Sequence, residues 1–251
     1  MLILLPPSAG KTAPITGVPV DLEALSFPEL TGARRRVGQS LILASRRKNA
    51  LVALAAGPSL SDEVNRNTTL WGNAAAPSAQ VYTGVLFEAA GAGEWTVDTL
   101  RRASERVRIF SALWGVLSPV DRIPAYRLGM GTALGRIGPL TAFWRKQLVT
   151  TLDREADGHL VIDCRSSDYA AAWRASHSQS LAVRVERELN GKRAVVSHNA
   201  KHTRGLLTGA LVAARVEPTN GDEIAHIASQ IPGITAVELR PNQLTLVTQA
   251  Q

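Results

Sequence analysis

The dipeptide Asn190-Gly191 separates SLAVRVEREL (residues 180–189) from KRAVVSH (192–198), and it constrains the fold more than any other feature of the chain. A type I′ turn needs positive φ at both central residues, which Asn and Gly adopt at little steric cost, so the two runs are predicted to pair antiparallel. A second hairpin is expected over residues 235–248, which alternate around Pro241-Asn242. Leu2 to Leu5 and LVID (160–163) read as buried strands, and residues 29–56, 97–106, 203–214 and 222–230 read as helices. Helices interleaved with strands, some of them antiparallel, predict a mixed α/β (α+β) fold rather than a doubly wound one. Over 97–106, Val97, Leu100 and Ala103 would form the inward face, with arginines opposite. Ile109 to Leu117 is apolar throughout and fits either a buried strand or a continuing helix. Residues 55–80, rich in turn formers, are expected to contain loop.

Of the 251 residues, 45% are hydrophobic and 20% charged, a balance that argues against intrinsic disorder. The apolar runs are too short to span a bilayer. MLILLPPS has neither a basic flank nor a small-residue cleavage site, so it reads as a first strand and not a signal peptide. The lone Cys164 excludes an internal disulfide and fits a reducing cytoplasm. The expectation is a cytoplasmic protein without a membrane partner.

The net charge of +7 is unevenly distributed. Residues 101–147 hold nine basic and two acidic side chains, a surplus equal to that of the whole chain: Arg101, Arg102, Arg106, Arg108, Arg122, Arg127, Arg136, Arg145 and Lys146 are the basic ones. Arg34, Arg35, Arg36 and Arg46, Arg47, Lys48 form two further clusters. Such clusters suit phosphate contacts, and they suit solvated helix faces equally.

Gly10-Lys11-Thr12 follows the first strand, but a phosphate loop would need glycine where Leu5 stands, and Pro6 and Pro7 lack the amides that cradle a phosphate. Ser8 and Lys11 nonetheless fall at a strand's carboxyl end, where open α/β sheets place ligands. His198 and His202 are four apart but are expected to straddle a strand end and a loop, with no metal site. Leu128-Gly129-Met130-Gly131 and Ile231-Pro232-Gly233-Ile234 imitate the turn of a helix-hairpin-helix DNA motif, and each also fits an ordinary turn. No serine-nucleophile elbow, paired-carboxylate pattern or cofactor motif is present.

VYTG (81–84), ALWGVLSPVDRIPAYRLGMG (112–131), LTAFW (140–144), SSDY (166–169) and HNAKHTRG (198–205) occur in the order and spacing of the peroxide-stress protein YaaA family, which the chain resembles over nearly its whole length. The resemblance implies one cytoplasmic mixed α/β unit over residues 1–251. It also implies DNA binding through a positive cleft and a helix-hairpin-helix-like element, and protection against iron-linked oxidative damage. Matched position by position, it nominates Lys11, Asp121, Tyr126, Arg127, Ser166, Tyr169, Lys201 and Arg204 for a shared cleft. The chain departs from the family at Trp114, Ser118 and Gly129, where Tyr, Arg and Glu are usual. Asp168 stands for Glu, and His198 and Asn199 for aromatics.

Two functions follow. In the first, Arg101, Arg102, Arg106 and Arg108 contact the backbone of double-stranded DNA, with Gly129 and Gly131 admitting close approach and little sequence read. In the second, an enzyme acts on a nucleotide, nucleobase or related small anion. Lys11, Arg127, Lys201 and Arg204 then hold anionic oxygens beside Ser8, while Asp168 or Tyr169 moves a proton.

Overall fold

The computed structural model describes residues 1–175, 179–189, 192–195 and 198–249. Its core is a mostly parallel mixed sheet built from β1 (Leu2–Leu5), β2 (Val107–Ser111), β3 (Gly115–Leu117), β4 (Val161–Asp163), β5 (Ser180–Leu189), β6 (Lys192–Val195), β7 (Ile234–Arg240) and β8 (Gln243–Gln249). The spatial order is β7-β8-β5-β4-β1-β2-β3, with β6 alongside the end of β5. Strands β8, β5, β4, β1 and β2 run parallel, whereas β7, β3 and β6 pair antiparallel with their neighbours.

Burial explains the sequence patterns. β1 lies between two parallel neighbours and is buried at all four residues, so it reads as a continuous apolar run. β5 alternates from Leu181 to Val185 between buried and exposed positions, as a strand covered on one face should. The buried side of β5 packs under α5 (His198–Ala213), and α6 (Gly221–Ser229) packs on β7 and α5. Four further helices bear on the argument: α1 (Thr31–Ser45), α2 (Val85–Ala89), α3 (Val97–Arg106) and α4 (Leu140–Ala156). On α4, Leu140, Phe143, Trp144, Leu148, Thr151, Leu152 and Ala156 form one buried stripe at helical spacing.

The mixed class, the first strand and the strand at 161–163 agree with the sequence. So does the hairpin around Pro241-Asn242, where Asn242 takes φ 61°. The pairing of β5 with β6 starts from Leu189 opposite Lys192, while Asn190-Gly191 itself lies outside the described residues.

Other expectations are corrected. The helix predicted over 29–56 breaks at Arg46 to Asn49, where consecutive polar residues supply no apolar stripe, and a short turn resumes at Ala50–Ala53. Residues 55–80 contain the expected loop, at 55–57 and 73–75, between short helical turns at Pro58–Leu60, Ser61–Arg66, Asn67–Gly72 and Ser78–Val81. Ile109 to Leu117 contains parts of two strands around a turn. Gly115 there adopts φ +76°, and a Cβ would sit 2.6 Å from the Trp144 ring, so glycine is required twice over. Helix α5 begins at His198, which places His198 and His202 on one helix rather than across a strand end and a loop. On α3, Val97 is 87% exposed, and Ala103 and Arg106 are the buried positions.

Candidate functional site

The parallel strands β1, β2 and β4 end together at Leu5, Ser111 and Asp163, and the segments leaving that edge bring distant residues into one cluster. After β1 the chain passes Pro6 and Pro7, bends at Ala9 and Gly10, and pairs Lys11 with Tyr82 in an isolated bridge, secured by Thr12 N–H donating to Val81 O at 3.0 Å. The Lys11 ammonium donates to Ser8 O at 2.9 Å and Ala9 O at 3.4 Å, and lies 4.4 Å from the Tyr126 ring centre and 5.5 Å from that of Tyr82.

Below the rings runs a chain of hydroxyls. The Tyr82 and Tyr126 oxygens are 2.8 Å apart, and Ser111 Oγ is 2.7 Å from Tyr126. Ser111 Oγ accepts from the amides of Leu113 and Trp114, so its own proton points to Tyr126 and the chain is oriented toward Tyr82. Burial holds both phenols well above their ordinary pKa, so both remain protonated donors.

Arg127 closes the cluster from the opposite wall. Asn67, fully buried, fixes its backbone by accepting from Arg127 N–H and donating to Arg127 O, both at 2.9 Å. The guanidinium then reaches Ala9 O and Glu63, each at 3.4 Å. Two ring faces and two carbonyls favour the Lys11 cation. Burial and the nearby Arg127 charge outweigh them and Glu63, pulling the ammonium down to about 7. Tyr169, on the short helix Ser167–Ala170 after β4, adjoins the same groups: burial and Tyr126 raise its phenol, while the Met130 main chain and Arg127 oppose the shift.

The other nominated residues fare differently. Ser8 is half-buried and bonds back to Gly10 O, while Ser166 and Asp168 are exposed around the Tyr169 helix. Asp121 is buried and accepts from Ser26 N–H and Oγ and from Ser118 N–H, so it clamps a turn instead of facing the cleft. Arg204 donates twice to Val183 O. Lys201 is exposed on the first turn of α5. That helix runs along α2 in register: a Cβ on Gly205 would overlap Leu86 O, and one on Gly209 would meet Ala90 O at 3.1 Å. One turn earlier, Lys201 therefore lies toward the Tyr82–Gly84 segment, and Gly84 abuts Ser8.

The arginine row expected to face a duplex is mostly internal. Arg106 is buried and donates to Leu211 O at 2.9 Å and Ala214 O at 2.8 Å, and half-buried Arg102 donates to Val212 O at 3.1 Å. Together they satisfy the last carbonyls of α5. Arg108, also buried, pairs with Glu155, and exposed Arg101 pairs with Glu105. The Gly129–Gly131 segment is an ordinary turn closed by Thr132 N–H to Gly129 O, and a two-residue strand, not a helix, follows it. Burial pushes the Cys164 thiol up to about 12, so little of it is the nucleophilic thiolate. Among the described residues, no group of three His, Cys, Asp or Glu could hold a metal, and no helix is long and apolar enough to cross a membrane.

Sequence reasoning did not nominate Glu63, Asn67, Tyr82 or Ser111. Tyr82 lay in plain view within the VYTG segment, but nothing local connects Glu63 and Asn67 to Arg127, which is more than fifty positions away.

The family model for the peroxide stress protein YaaA matches residues 1–230. A UPF0246 protein of Streptomyces coelicolor is 38% identical over 90% of this chain and 88% of its own length. UPF0246 proteins of Corynebacterium efficiens and Corynebacterium glutamicum are 39% and 37% identical, each over 98% of this chain and 100% of the relative. A match that spans nine-tenths of the chain, and includes the β1 edge and every segment that builds the cluster, settles the relationship: this chain belongs to the peroxide stress protein YaaA (UPF0246) family.

Proposed function

We propose that the Lys11–Arg127 cleft binds a small anion, a nucleotide, nucleobase or related acid, and acts on it by proton transfer in the cytoplasm. The observation that carries this reading is a lysine pulled down to about 7 beside a second cation, at the carboxyl edge of parallel strands. Arg127 would hold an anionic oxygen in place of its long contacts to Ala9 O and Glu63. Lys11, part uncharged at neutral pH, takes a proton from the bound substrate and, as the ammonium, returns it. In the test, thermal unfolding is followed with AMP, ATP and inorganic phosphate. At least one should stabilise the protein, and Arg127→Ala should abolish the effect. Stabilisation that survives Arg127→Ala contradicts the reading.

The DNA reading rests on other cations, the exposed Arg46, Arg47 and Lys48 after α1. Duplex retention there should be sequence-independent and fall on the order of 10³-fold between low and moderate salt. Replacing Arg46, Arg47 and Lys48 by Ala should remove it while Arg127→Ala leaves it intact. If Arg127→Ala alone removes retention, duplex and small anion share one site.

A further inference from the structure

A cavity lies where the first turns of α5 meet the end of the β7–β8 ribbon. Its volume is about 560 Å³, within the range of small-molecule sites. The sheet beneath it changes character in a regular way. Val183 pairs with Leu244 and Val185 with Leu246, all four of them buried on the face under α5. Two residues further along, the same face presents Arg187 beside Thr248. Arg187 therefore occupies the next place in an apolar row and lines the cavity, with no hydrogen-bond or ion-pair partner among the described residues. The neighbouring carboxylates are engaged elsewhere: Glu186 with Arg184, and Glu188 with Arg193. Among the described residues no Asp or Glu lines the cavity, whereas His202 does. A half-buried guanidinium with no anion among the described residues carries a cost that leucine at this place would avoid.

We propose that this cavity binds a small organic anion, its carboxylate or phosphate head on Arg187 and His202 and its apolar body against Leu206, Pro232 and Ile234. The site is separate from the Lys11 cleft because α5 divides them. Lys201 and Gly205 lie on its α2 side, while His202 and Leu206 face the cavity.

The test titrates the full chain with phenyl phosphate, benzoate and neutral phenol, following backbone amide shifts by NMR. At least one anion should bind saturably, moving Thr235 and Thr248, while phenol does not. Which anion binds distinguishes a phosphate head from a carboxylate. Arg187→Leu should weaken that binding about tenfold or more, and Lys11→Met should leave it unchanged. If Arg187→Leu does not fold, Arg187→Gln, checked by its thermal midpoint, must give the same loss. The proposal is overturned if neither anion saturates by about 10 mM, if phenol binds equally well, if the Arg187 variant binds as tightly as wild type, or if Lys11→Met abolishes binding.

Discussion

Arg102 and Arg106, at the edge where the parallel strands begin, and Lys11 and Arg127, at the edge where they end, look alike as sequence but do opposite work. The first two are aimed at the carbonyls that end α5, acceptors any helix C-terminus leaves open. Lys11 and Arg127 converge on one short loop and a hydroxyl cluster, held in place by Asn67 and two aromatic rings. A cation that completes a helix end adds stability by pairing carbonyls that would otherwise stay open. Lys11 differs: burial first and the nearby Arg127 second lower its pKa, and the proposed function rests on that contrast.

Exchanging the roles of these residues tests the contrast. Arg106→Ala should destabilise the fold by about 2–4 kcal/mol in urea unfolding, because buried carbonyls lose their donor, whereas Arg127→Ala, at the rim, should cost about 1 kcal/mol or less. Equal losses would remove the distinction. Gly205→Ala should cost about 1–3 kcal/mol by pushing α5 off α2, and should disturb Lys201 without touching Lys11. Tyr126→Phe breaks the hydroxyl chain at its middle and should cost about 1–2 kcal/mol, measurable as a lower urea midpoint.

A further expectation is a pH dependence of stability. The folded pKa of Lys11 lies below its unfolded value, so between about 7 and 10.5 the unfolded chain binds the extra proton. Wild-type stability should therefore gain relative to Lys11→Met as pH rises through that window. Below it, the penalty for burying the cation is fully present. A difference that stays constant with pH would mean that Lys11 titrates normally.

How much of this was legible in the sequence depended on distance along the chain. β1, the hairpin at 234–249 and α3 were readable because each carries its own pattern or turn residue. Helix α5 was begun too late because HNAKHTR offers no apolar stripe, and its first turn is set by packing on α2. Lys11 stands out by its place after the first strand, whereas Tyr126, Arg127 and Tyr169 enter through family motifs. Their grouping depends on contacts such as Arg127 with Asn67 and Tyr126 with Ser111, which the sheet order creates and no local periodicity encodes. The arginine surplus misled for the same reason: charge is visible in sequence, but the partner of a charge is not. Arg102 and Arg106 find theirs more than a hundred residues away.

The most direct test of the central claim is an NMR titration of the lysine side chains, carbon-13 labelled at Cε, across pH 6 to 11. The chain has five lysines, so the spectrum is simple to assign with single substitutions. One resonance, lost in Lys11→Met, should titrate near 7, and a bound anion should move that midpoint upward by favouring the ammonium. If every lysine titrates near the ordinary value of about 10.4, with or without anion, the cleft is not the site argued for here.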